Sequence, residues 1–506
     1  MEIGERNLAK LAEDAFARNG DIEESLFFAG RWHSTAEMRD RAHRLAGGFV
    51  QLGIEPGERV AVLMANCPEV GIVYHALWRA GAVITPTIFL LPPEQIRHVL
   101  RDSEARAIVT TPEFLANVQL AAEGVPTLES TVLVGADEQE GVVDFAELEA
   151  AEPTDVVPRE DDDLAALLYT GGTTGRAKGV MLSHANLWAC AKSSEEASYT
   201  PGVNRTLVPL PLAHAFGLAV TVTGMHQREP GASALMRWFD PAGFLDLIEQ
   251  LGLQRATAVP SMLQLLLQQP LEERDLSTWR YANVGASPLS VDVALELQRR
   301  VPSLTVLEGY GCTESGGIMS VNPADAPKLG TVGPPLPGYD VRIVDEDGHE
   351  VPTGEIGEVT CRADGVMQGY WQAPEETAAA LRDGWFHTGD LGRVDEDGYL
   401  TIVDRKKDLI IRGGFNVYPR DVEDVLVEHP AVAMAGVVGR PDDTCGEEVV
   451  AFVSLAPGAE ATGEELVAWA KEHIGGYKYP REVRIVDQVP LTPVMKTDRK
   501  ALRKLL

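Results

Sequence analysis

The chain has 506 residues, 45% of them hydrophobic, so it is too long for one ordinary core and two or more globular domains are expected. Its 44 basic and 76 acidic residues give a formal net charge of −32, which excludes general nucleic-acid binding because that function requires a basic surface. The five cysteines include no Cys-x-x-Cys pair, so a reducing compartment is expected rather than a disulfide framework.

Neither secretion nor membrane insertion is indicated by the sequence. Residues 1–6 contain no apolar stretch of the signal-peptide type, so a cytoplasmic location is expected. The longest apolar region, residues 70–91, is interrupted by His75, Arg79 and Pro86, whereas a spanning helix needs about 20 nearly uncharged residues. No transmembrane segment is predicted, and peripheral membrane contact and oligomerisation stay open.

Helical and strand signals alternate through the first third of the chain. Apolar residues recur at helical spacing over residues 8–17 and 36–52, and residues 70–91 predict a buried helix followed by a strand. Further strand-type runs occupy residues 59–64, 107–110, 131–134 and 164–169. This rhythm predicts the α/β class, with doubly wound sheets that bind ligands at the carboxyl ends of their strands.

A loop rich in glycine and threonine follows the last of these strands. Residues 169–179 are Tyr-Thr-Gly-Gly-Thr-Thr-Gly-Arg-Ala-Lys-Gly. Glycine lets the backbone approach a large anion, threonine hydroxyls and backbone N–H groups donate to its oxygens, and Lys178 adds a positive charge. The loop is not a Walker A motif, because Lys178 lies between Ala177 and Gly179. It predicts a polyphosphate site, with a ligand-free turn as the alternative.

The pattern changes twice after residue 330. From about residue 330 to 403, short segments separated by Gly, Pro and acidic turns predict hairpins and a small β-rich subdomain. The charged residues 404–408 that follow are either a hinge or an exposed basic turn. Strand-type residues 435–438, 449–455 and 483–486 and helical residues 463–472 then predict a small α+β domain. The predicted domains are residues 1–403, which include the β-rich subdomain, and residues 404–506.

The end of the chain departs from the overall charge balance. From Tyr477 onward eight basic residues stand against three acidic ones, a net charge of +5. This segment either gathers anionic substrates or forms a basic amphipathic helix over residues 499–504.

Six motifs occur in an order that is found in one enzyme superfamily. Besides the glycine/threonine loop they are Tyr-Gly-Cys-Thr-Glu (310–314), Gly-Trp-Phe-His-Thr-Gly-Asp (384–390), Asp-Arg-Lys-Lys-Asp (404–408), Gly-Gly-Phe-Asn-Val-Tyr-Pro (413–419) and Pro-Leu-Thr-Pro-Val-Met-Lys (490–496). By these motifs the chain resembles the acyl-CoA synthetases of the adenylate-forming superfamily from end to end. The loop variant with Ala177 before Lys178 is similar to that of long-chain fatty acyl-CoA ligases.

The resemblance implies a large N-terminal α/β domain, a small mobile C-terminal domain and a two-step reaction with ATP, Mg²⁺ and coenzyme A. A carboxylate attacks the α-phosphate of ATP to give an acyl-adenylate and pyrophosphate, and the thiol of coenzyme A then displaces AMP. Positioning and charge neutralisation dominate such a first step. The C-terminal domain is expected to rotate about Asp404 between the two half-reactions.

The resemblance also implies a role for individual motif residues. Lys496 bridges the carboxylate and the α-phosphate, with Met495 where the family usually has Gly. Glu314 and Thr173 lie near Mg²⁺, which prefers hard oxygen ligands, and His214 lies beside the substrate carboxylate. The remaining predicted binding residues are Thr170, Gly171, Gly172, Thr174, Gly175 and Lys178 at the phosphates, Asp390 and Arg405 at the ribose, Gly285 and Ala286 at the adenine, Tyr310, Gly311 and Thr313 in the adjoining motif, and Gly413 and Gly414 along the pantetheine channel.

A fatty acid is the expected substrate, and the apolar residues 216–225 and 262–271 are suited to an alkyl tunnel, although such helices also form ordinary cores. An aryl or medium-chain acid stays open. Transfer of the adenylate to an amine, a carrier protein or a nitrogen nucleophile is the alternative second step, and a nucleotide sensor is the non-enzymatic alternative. The sequence has no Gly-x-Ser-x-Gly elbow and no His-Glu-x-x-His motif, which argues against serine hydrolases and zinc proteases.

Overall fold

The computed structural model of the chain describes residues 3–135, 139–170, 177–442, 444–492 and 497–506. The chain forms two compact units. Unit 1 comprises Met1–Val341 and Cys361–Phe386, and unit 2 comprises Arg342–Thr360 and His387–Leu506. The domain boundary at residue 404 stays a prediction.

The secondary structure alternates between helices and short strands. The α-helices are α1 (Leu8–Asn19), α2 (Thr35–Gln51), α3 (Pro68–Arg79), α4 (Pro93–Asp102), α5 (Pro112–Ala122), α6 (Phe145–Glu149), α7 (His184–Ser198), α8 (Ala215–His226), α9 (Pro241–Leu251), α10 (Pro260–Leu267), α11 (Val291–Arg300), α12 (Pro374–Ala380), α13 (Pro419–Val427), α14 (Gly463–His473) and α15 (Arg499–Arg503). The strands are β1 (Leu26–Phe28), β2 (Arg31–His33), β3 (Arg59–Leu63), β4 (Val83–Pro86), β5 (Ala107–Thr110), β6 (Ser130–Leu133), β7 (Val143–Asp144), β8 (Leu164–Thr170), β9 (Lys178–Ser183), β10 (Arg205–Val208), β11 (Ala232–Leu235), β12 (Arg255–Ala258), β13 (Tyr281–Val284), β14 (Thr305–Tyr310), β15 (Ser320–Val321), β16 (Asp340–Val344), β17 (Gly357–Arg362), β18 (Gly369–Tyr370), β19 (Leu381–Arg382), β20 (Trp385–Val394), β21 (Leu400–Arg405), β22 (Ile410–Arg412), β23 (Phe415–Val417), β24 (Val432–Asp442), β25 (Gly446–Leu455) and β26 (Glu482–Ile485).

Local side-chain signals set where several helices begin. Asn7 caps α1 by accepting from the N–H groups of Ala9 and Lys10 at 2.9 and 3.1 Å. Ser183 and Asn186 form a capping box at the start of α7. Helices α3, α4, α5, α9 and α10 each carry proline in their first turn, where its missing N–H costs nothing. The helices predicted at residues 8–17 and 36–52 are confirmed. Across the described ranges, no helix has both the length and the apolar character needed to cross a bilayer.

Unit 1 contains an eight-stranded sheet, here named the first sheet, with the order β15-β14-β13-β12-β10-β11-β1-β2. The strands from β14 to β1 are parallel, and the edge strands β15 and β2 are antiparallel to their neighbours. Helices α9, α10 and α11 cover one face around Phe244 and Trp279, whose rings lie 5.4 Å apart. The carboxyl ends of β10, β12, β13 and β14 therefore lie along one edge.

The second sheet of unit 1 has the order β18-β9-β8-β4-β3-β5-β6-β7. Strands β8, β4, β3, β5, β6 and β7 are parallel, which confirms the predicted βαβ rhythm. Strand β9 returns antiparallel to β8, and β18 pairs with β9. Strand β18 comes from the stretch expected to belong wholly to the β-rich subdomain. It lies in this sheet instead because its two residues pair with the open edge of β9.

A third sheet accounts for the predicted hairpins. Its order is β16-β17-β20-β19, with β21 paired to β20. Two of its turns share one design, in which an aspartate carboxylate accepts from the N–H groups two and four residues later. Asp345 and Asp395 are these residues, and Gly348 and Gly398 complete the turns at φ values of 84° and 83°. The acidic Asp-x-Asp-Gly signals therefore mark real turns.

Residues 410–506, which lie in unit 2, have the predicted α+β character. A sheet with the order β23-β22-β25-β24, with β26 parallel to β25, forms its centre. Residues of α13 and α14 pack with alternate residues of β24 and β25 in one core, and Leu502 of α15 packs with the other set, which includes Val438 and Phe452. Because side chains alternate along a strand, the two sets cover opposite faces of the sheet.

Candidate active site

The two ends of the glycine/threonine loop are joined by strand pairing. Thr170, the last residue of β8, lies opposite Lys178, the first residue of β9. Strand β8 is parallel to its neighbour β4 and β9 is antiparallel to β8, and β18 lies beyond β9 at the end of the second sheet. The predicted phosphate ligands Gly171, Gly172, Thr173, Thr174 and Gly175 lie outside the described residues.

Lys178 and Glu314 approach the same tyrosine, Tyr370 of β18. The Nζ atom of Lys178 lies 5.1 Å from the centroid of the Tyr370 ring and 4.0 Å from the carboxylate of Glu376. The Tyr370 hydroxyl donates to Oε1 of Glu314 at 2.9 Å. Burial, and after it the charge of Glu314, raises the pKa of Tyr370 far above its ordinary value, so the phenol keeps its proton and acts as the donor. An ammonium group suits a phosphate and a carboxylate suits Mg²⁺, so this corner fits both groups.

The turn after β14 orients Glu314. Tyr310 ends the strand, and Thr313–Ser315 form a 3-10 helix directly after Gly311 and Cys312. The Cys312 N–H donates to Oγ of Ser315 at 3.1 Å, which closes the turn. A side chain at Gly311 would collide with the backbone of Gly317, so this position requires glycine. The predicted residues Tyr310, Gly311 and Thr313 therefore build the turn that carries Glu314.

The end of β13 is a second specialised turn on the same edge. Ala286 has φ of 73°, a left-handed conformation that is costly for a residue with a Cβ atom. The preceding Gly285 lies so close to β14 that an added Cβ would be 3.1 Å from the Gly309 carbonyl oxygen and 3.7 Å from Cε1 of Phe216. Strained backbone of this kind concentrates at functional sites, and the role of this segment at the adenine stays a prediction.

His214 lies at the start of α8, close to this turn. Its Nδ1 accepts from the N–H of Phe216 at 3.3 Å, so the imidazole caps the helix. Because Phe216 also reaches the position of Gly285, the first turn of α8 adjoins the end of β13. The first sheet thus brings His214, Gly285, Ala286, Tyr310 and Gly311 to the carboxyl edge of its parallel strands.

Unit 2 holds a second group of predicted residues. Asp390 of β20 and Arg405 of β21 lie opposite each other, and Nε of Arg405 is 3.0 Å from Oδ1 of Asp390. The Asp390 side chain is only 6% exposed. A carboxylate has two acceptor oxygens, which is the property on which the predicted ribose contact depends, and that contact stays a prediction.

Asp404 is fixed by backbone donors at the junction of β21 and the α+β part. Its oxygens accept from the N–H groups of Arg405 and Arg420 at 2.7 and 3.0 Å. Burial raises the pKa of Asp404, and the charge of Arg499 opposes that shift. Residues 405–407 are exposed, whereas Asp404 and Asp408 are buried, so the charged run is more than an exposed basic turn.

The C-terminal basic residues contact carboxylates within unit 2. Arg499 pairs with Glu423 and Arg503 with Asp408, both from the predicted helix α15. Lys478 likewise pairs with Asp421 at 2.6 Å. These three cations therefore form ion pairs inside unit 2. The attraction of anionic substrates by this segment stays a prediction.

The glycine pair Gly413-Gly414 forms the turn between β22 and β23. Both residues have positive φ, 59° and 82°, and a Cβ at either position would meet nothing within 4 Å. Phe415 follows with 59% of its surface exposed, and its ring lies 5.0 Å from that of Tyr477. The turn is therefore an open backbone loop beside an exposed aromatic pair.

Lys496 and Met495 lie outside the described residues, but the base of their loop is well defined. Leu491 and Thr497 form an antiparallel bridge, and the N–H of Asp498 donates to the Pro490 carbonyl at 2.8 Å. The loop that carries Lys496 is therefore closed at its neck.

Sequence reasoning missed three residues that complete these clusters. Tyr370 joins Lys178 to Glu314, Glu376 pairs with Lys178, and Glu423 pairs with Arg499. The only local signal for the first two was the aromatic pair Tyr370-Trp371 before the helix start Pro374-Glu375-Glu376.

Comparisons with known proteins bear on the whole chain. Residues 12–371 match the family of AMP-binding enzymes, and residues 421–496 match the AMP-binding enzyme C-terminal domain. A feruloyl-CoA synthase from an Amycolatopsis species is 39% identical over 463 residues, which cover 90% of each chain. A long-chain-fatty-acid–CoA ligase from Bacillus subtilis is 33% identical over an alignment of 534 positions, which covers 99% of this chain and 95% of that one.

A solved structure agrees with the fold. ATP-bound MatB from Rhodopseudomonas palustris is similar with a TM-score of 0.89 and 33% identity, over 98% of each chain. The predicted resemblance and fold class are confirmed. The chain belongs to the AMP-binding enzyme family and is an AMP-forming acid–thiol ligase of the acyl-CoA synthetase type, with ATP and a carboxylic acid as substrates.

Proposed function

We propose that this ligase adenylates an apolar carboxylic acid, with a fatty acid as the first candidate, and transfers the acyl group to coenzyme A in a Mg²⁺-dependent reaction. The observation that carries the proposal is the meeting of Lys178 and Glu314 at Tyr370, directly beside the neck of the glycine/threonine loop. A cation for phosphate oxygens and a carboxylate for a hard metal ion stand there together.

In the first half-reaction a carboxylate oxygen of the acid attacks the α-phosphorus of ATP, and pyrophosphate leaves. Thr170 to Gly175 and Lys178 hold the β- and γ-phosphates, and Lys496 stabilises the charge that develops between the two reactants. Glu314 and Thr173 hold Mg²⁺, which supplies further neutralisation of phosphate charge. His214 orients the acid, and Gly285 and Ala286 border the adenine and the acyl group.

In the second half-reaction the thiol sulfur of coenzyme A attacks the acyl carbon, and AMP leaves with the bonding electrons. Asp390 and Arg405 keep hold of the ribose, which makes AMP a well-positioned leaving group. We propose that residues 404–506 rotate about Asp404 between the steps, so that Lys496 withdraws and Gly413 and Gly414 line the path of the pantetheine arm.

Helices α8 and α10 support a fatty acid as the substrate. The central residues of α8, from Phe216 to Met225, include apolar side chains on all sides of the helix, and α10 adds Met262 and Leu263. Apolar side chains in this number suit contact with an alkyl chain, although Met262 and Leu263 also belong to the core of the first sheet.

A hydroxylated aryl acid is the second candidate, favoured by two buried polar atoms. Thr257 of β12 and Asn283 of β13 are register neighbours, and the Thr257 Oγ1 and Asn283 Oδ1 atoms have no hydrogen-bond partner among the described residues. An unpaired buried acceptor is costly, and a phenolic hydroxyl is a donor that would satisfy it. The feruloyl-CoA synthase relative agrees with this candidate.

The test is pyrophosphate release from Mg²⁺-ATP with three series of acids: straight-chain alkanoic, benzoic and hydroxycinnamic acids. Each active acid is then incubated with coenzyme A, and the thioester is identified by mass spectrometry. No pyrophosphate with any acid would refute the proposal. If the adenylate forms but no thioester is found, the acceptor of the acyl group is a molecule other than coenzyme A.

The variant Asn283→Leu separates the two candidates. If Asn283 accepts from a substrate hydroxyl, this change lowers kcat/KM for hydroxylated aryl acids by about tenfold or more and spares the matched unsubstituted acids. If the substrate is a fatty acid, the same change leaves alkanoate turnover unchanged or improves it, because it removes a buried polar atom that has no hydrogen-bond partner among the described residues.

A further inference from the structure

We propose that Tyr370 is a positioning residue for nucleotide and metal binding, which orients Glu314 through its hydroxyl group and Lys178 through its ring. The inference rests on the proposed function, in which Glu314 lies at Mg²⁺ and Lys178 at the phosphates. No motif of the sequence assigned a role to this residue.

The hydroxyl contact fixes one end of the Glu314 side chain. Tyr370 donates to Oε1 of Glu314 at 2.9 Å, while the N–H of Met367 donates to the Glu314 carbonyl at 2.8 Å. The same short segment therefore holds both the backbone and the carboxylate of Glu314. A hydrogen-bond donor on one carboxylate oxygen restricts the rotation of the group and directs the second oxygen.

The ring contact acts on Lys178. An ammonium group 5.1 Å from a tyrosine centroid lies within the range of a cation–π interaction. The Glu376 carboxylate, at 4.0 Å, is the competing partner among the described residues. The ring thus keeps the lysine beside the loop without neutralising its charge.

The position of Tyr370 is itself fixed by the strand that carries Lys178. Tyr370 lies opposite Val180 of β9, its N–H donates to Oγ1 of Thr377 at 2.9 Å, and the N–H of Trp371 donates to the Gly179 carbonyl at 2.7 Å. Because β9 begins at Lys178, one backbone framework sets the spacing between lysine, ring and carboxylate. An aromatic residue that serves only to fill space in a core does not require this set of backbone contacts.

The test measures how strongly Mg²⁺ promotes the binding of a nonhydrolysable ATP analogue. Calorimetric titrations with and without Mg²⁺ give two Kd values, and their ratio reports the coupling between metal and nucleotide. Tyr370→Phe removes only the hydroxyl group, and we expect the ratio to fall by about tenfold while the Kd without metal stays unchanged. The matched control is Tyr199→Phe, which removes a tyrosine hydroxyl that donates to Glu229 at 2.6 Å, and which should keep the wild-type ratio.

Two further variants separate the role of the Tyr370 hydroxyl group from the role of its ring. Glu314→Gln should reduce the ratio as Tyr370→Phe does, and the double variant should lose no more than Glu314→Gln alone, because both act through one contact. Tyr370→Leu removes the ring as well, and at saturating Mg²⁺ it should weaken analogue binding by about two- to fivefold relative to Tyr370→Phe.

The outcomes are distinguishable. A wild-type ratio in Tyr370→Phe overturns the hydroxyl role, and equal binding by the Leu and Phe variants overturns the ring role. Equal weakening with and without Mg²⁺ shows that Tyr370 serves only the fold. If the unmodified protein binds the analogue with no response to Mg²⁺, the proposed function itself fails, whatever the variants do.

Discussion

Arg499 is held against Glu423 by two hydrogen bonds, from Nη2 to Oε1 at 2.8 Å and to Oε2 at 2.7 Å. The same guanidinium group lies 3.9 Å from Asp404 and 3.8 Å from Asp408. Arg499 follows Lys496 by three residues, so the segment after the proposed catalytic lysine is tied to the proposed hinge residue. The single positive charge of Arg499 is therefore shared among three carboxylates.

We expect Arg499→Met to destabilise unit 2 by about 3–5 kcal/mol, because removing one partner leaves Glu423 buried without its cation. The measurement is the unfolding transition of unit 2, followed by the fluorescence of Trp469, the only tryptophan of that unit. The double variant Arg499→Met with Glu423→Gln should recover much of the loss. The control is Lys500→Ala, which alters an exposed neighbour on the same helix. A loss no larger than that of the control would contradict the expectation.

Elements governed by local pattern were predicted closely from the sequence. Residues 107–110 match β5, and residues 463–472 match α14 within one residue, because their apolar spacing and end signals agree. Strand β24 was predicted as residues 435–438 but spans Val432–Asp442. Its glycines and proline have low strand propensity, and pairing with β25 along nearly the whole strand outweighs that preference.

Candidate site residues could be proposed from the sequence only where a motif is continuous. Lys178 and Glu314 each belong to such a motif. Tyr370 lies 56 residues beyond Glu314, and Arg499 lies 95 residues beyond Asp404, so only the folded chain pairs them. The positive φ of Ala286 also had no sequence signal, because alanine rarely adopts it and the surrounding turn imposes it.

His184 should make stability depend on pH. Burial lowers the pKa of this imidazole to about 3, and its Nδ1 accepts from the N–H of Leu8 at 3.2 Å. The unfolded chain binds a proton here below pH 6.5 or so, whereas the folded protein does so only near pH 3. The unfolded state therefore gains protons first as pH falls. Stability should be full above about pH 6.5 and decrease steadily toward pH 3.

The measurement is Tm as a function of pH for the wild type and for His184→Asn. Asparagine keeps an acceptor for the Leu8 N–H but does not titrate, so the variant should show a shallower decrease in Tm below pH 6.5. The decrease will not vanish, because burial also lowers the pKa values of His75 and His226 to about 4. His349→Gln, at a side chain that is 80% exposed, serves as the control. Identical slopes in all three proteins would rule out this origin.

Glu376 should compete with ATP for Lys178. Its carboxylate is 4.0 Å from Nζ of Lys178, and both side chains are partly exposed, so the attraction is modest and screened by salt. We expect Glu376→Gln to lower the KM for ATP by about two- to threefold, with the difference fading at high ionic strength. Glu375→Gln changes the neighbouring charge and is the matched control. An equal effect of both variants would indicate that the KM for ATP responds to the overall negative charge of this segment rather than to the contact between Glu376 and Lys178.

Lys496 should matter to one half-reaction and not to the other. In the proposed first step its ammonium group stabilises charge that develops between the carboxylate and the α-phosphate, so Lys496→Ala should lower the rate of pyrophosphate release by about 100- to 1,000-fold. In the proposed second step the lysine has no role, so thioester formation from a supplied acyl-adenylate and coenzyme A should stay near the wild-type rate.

The Leu491–Thr497 bridge closes the neck of the loop independently of the lysine side chain, so the substitution should leave the fold intact. Lys504→Ala, which removes another positive charge from the C-terminal segment, controls for the loss of charge. A parallel loss in both half-reactions would mean that Lys496 acts through structure or nucleotide affinity rather than through the forming mixed anhydride.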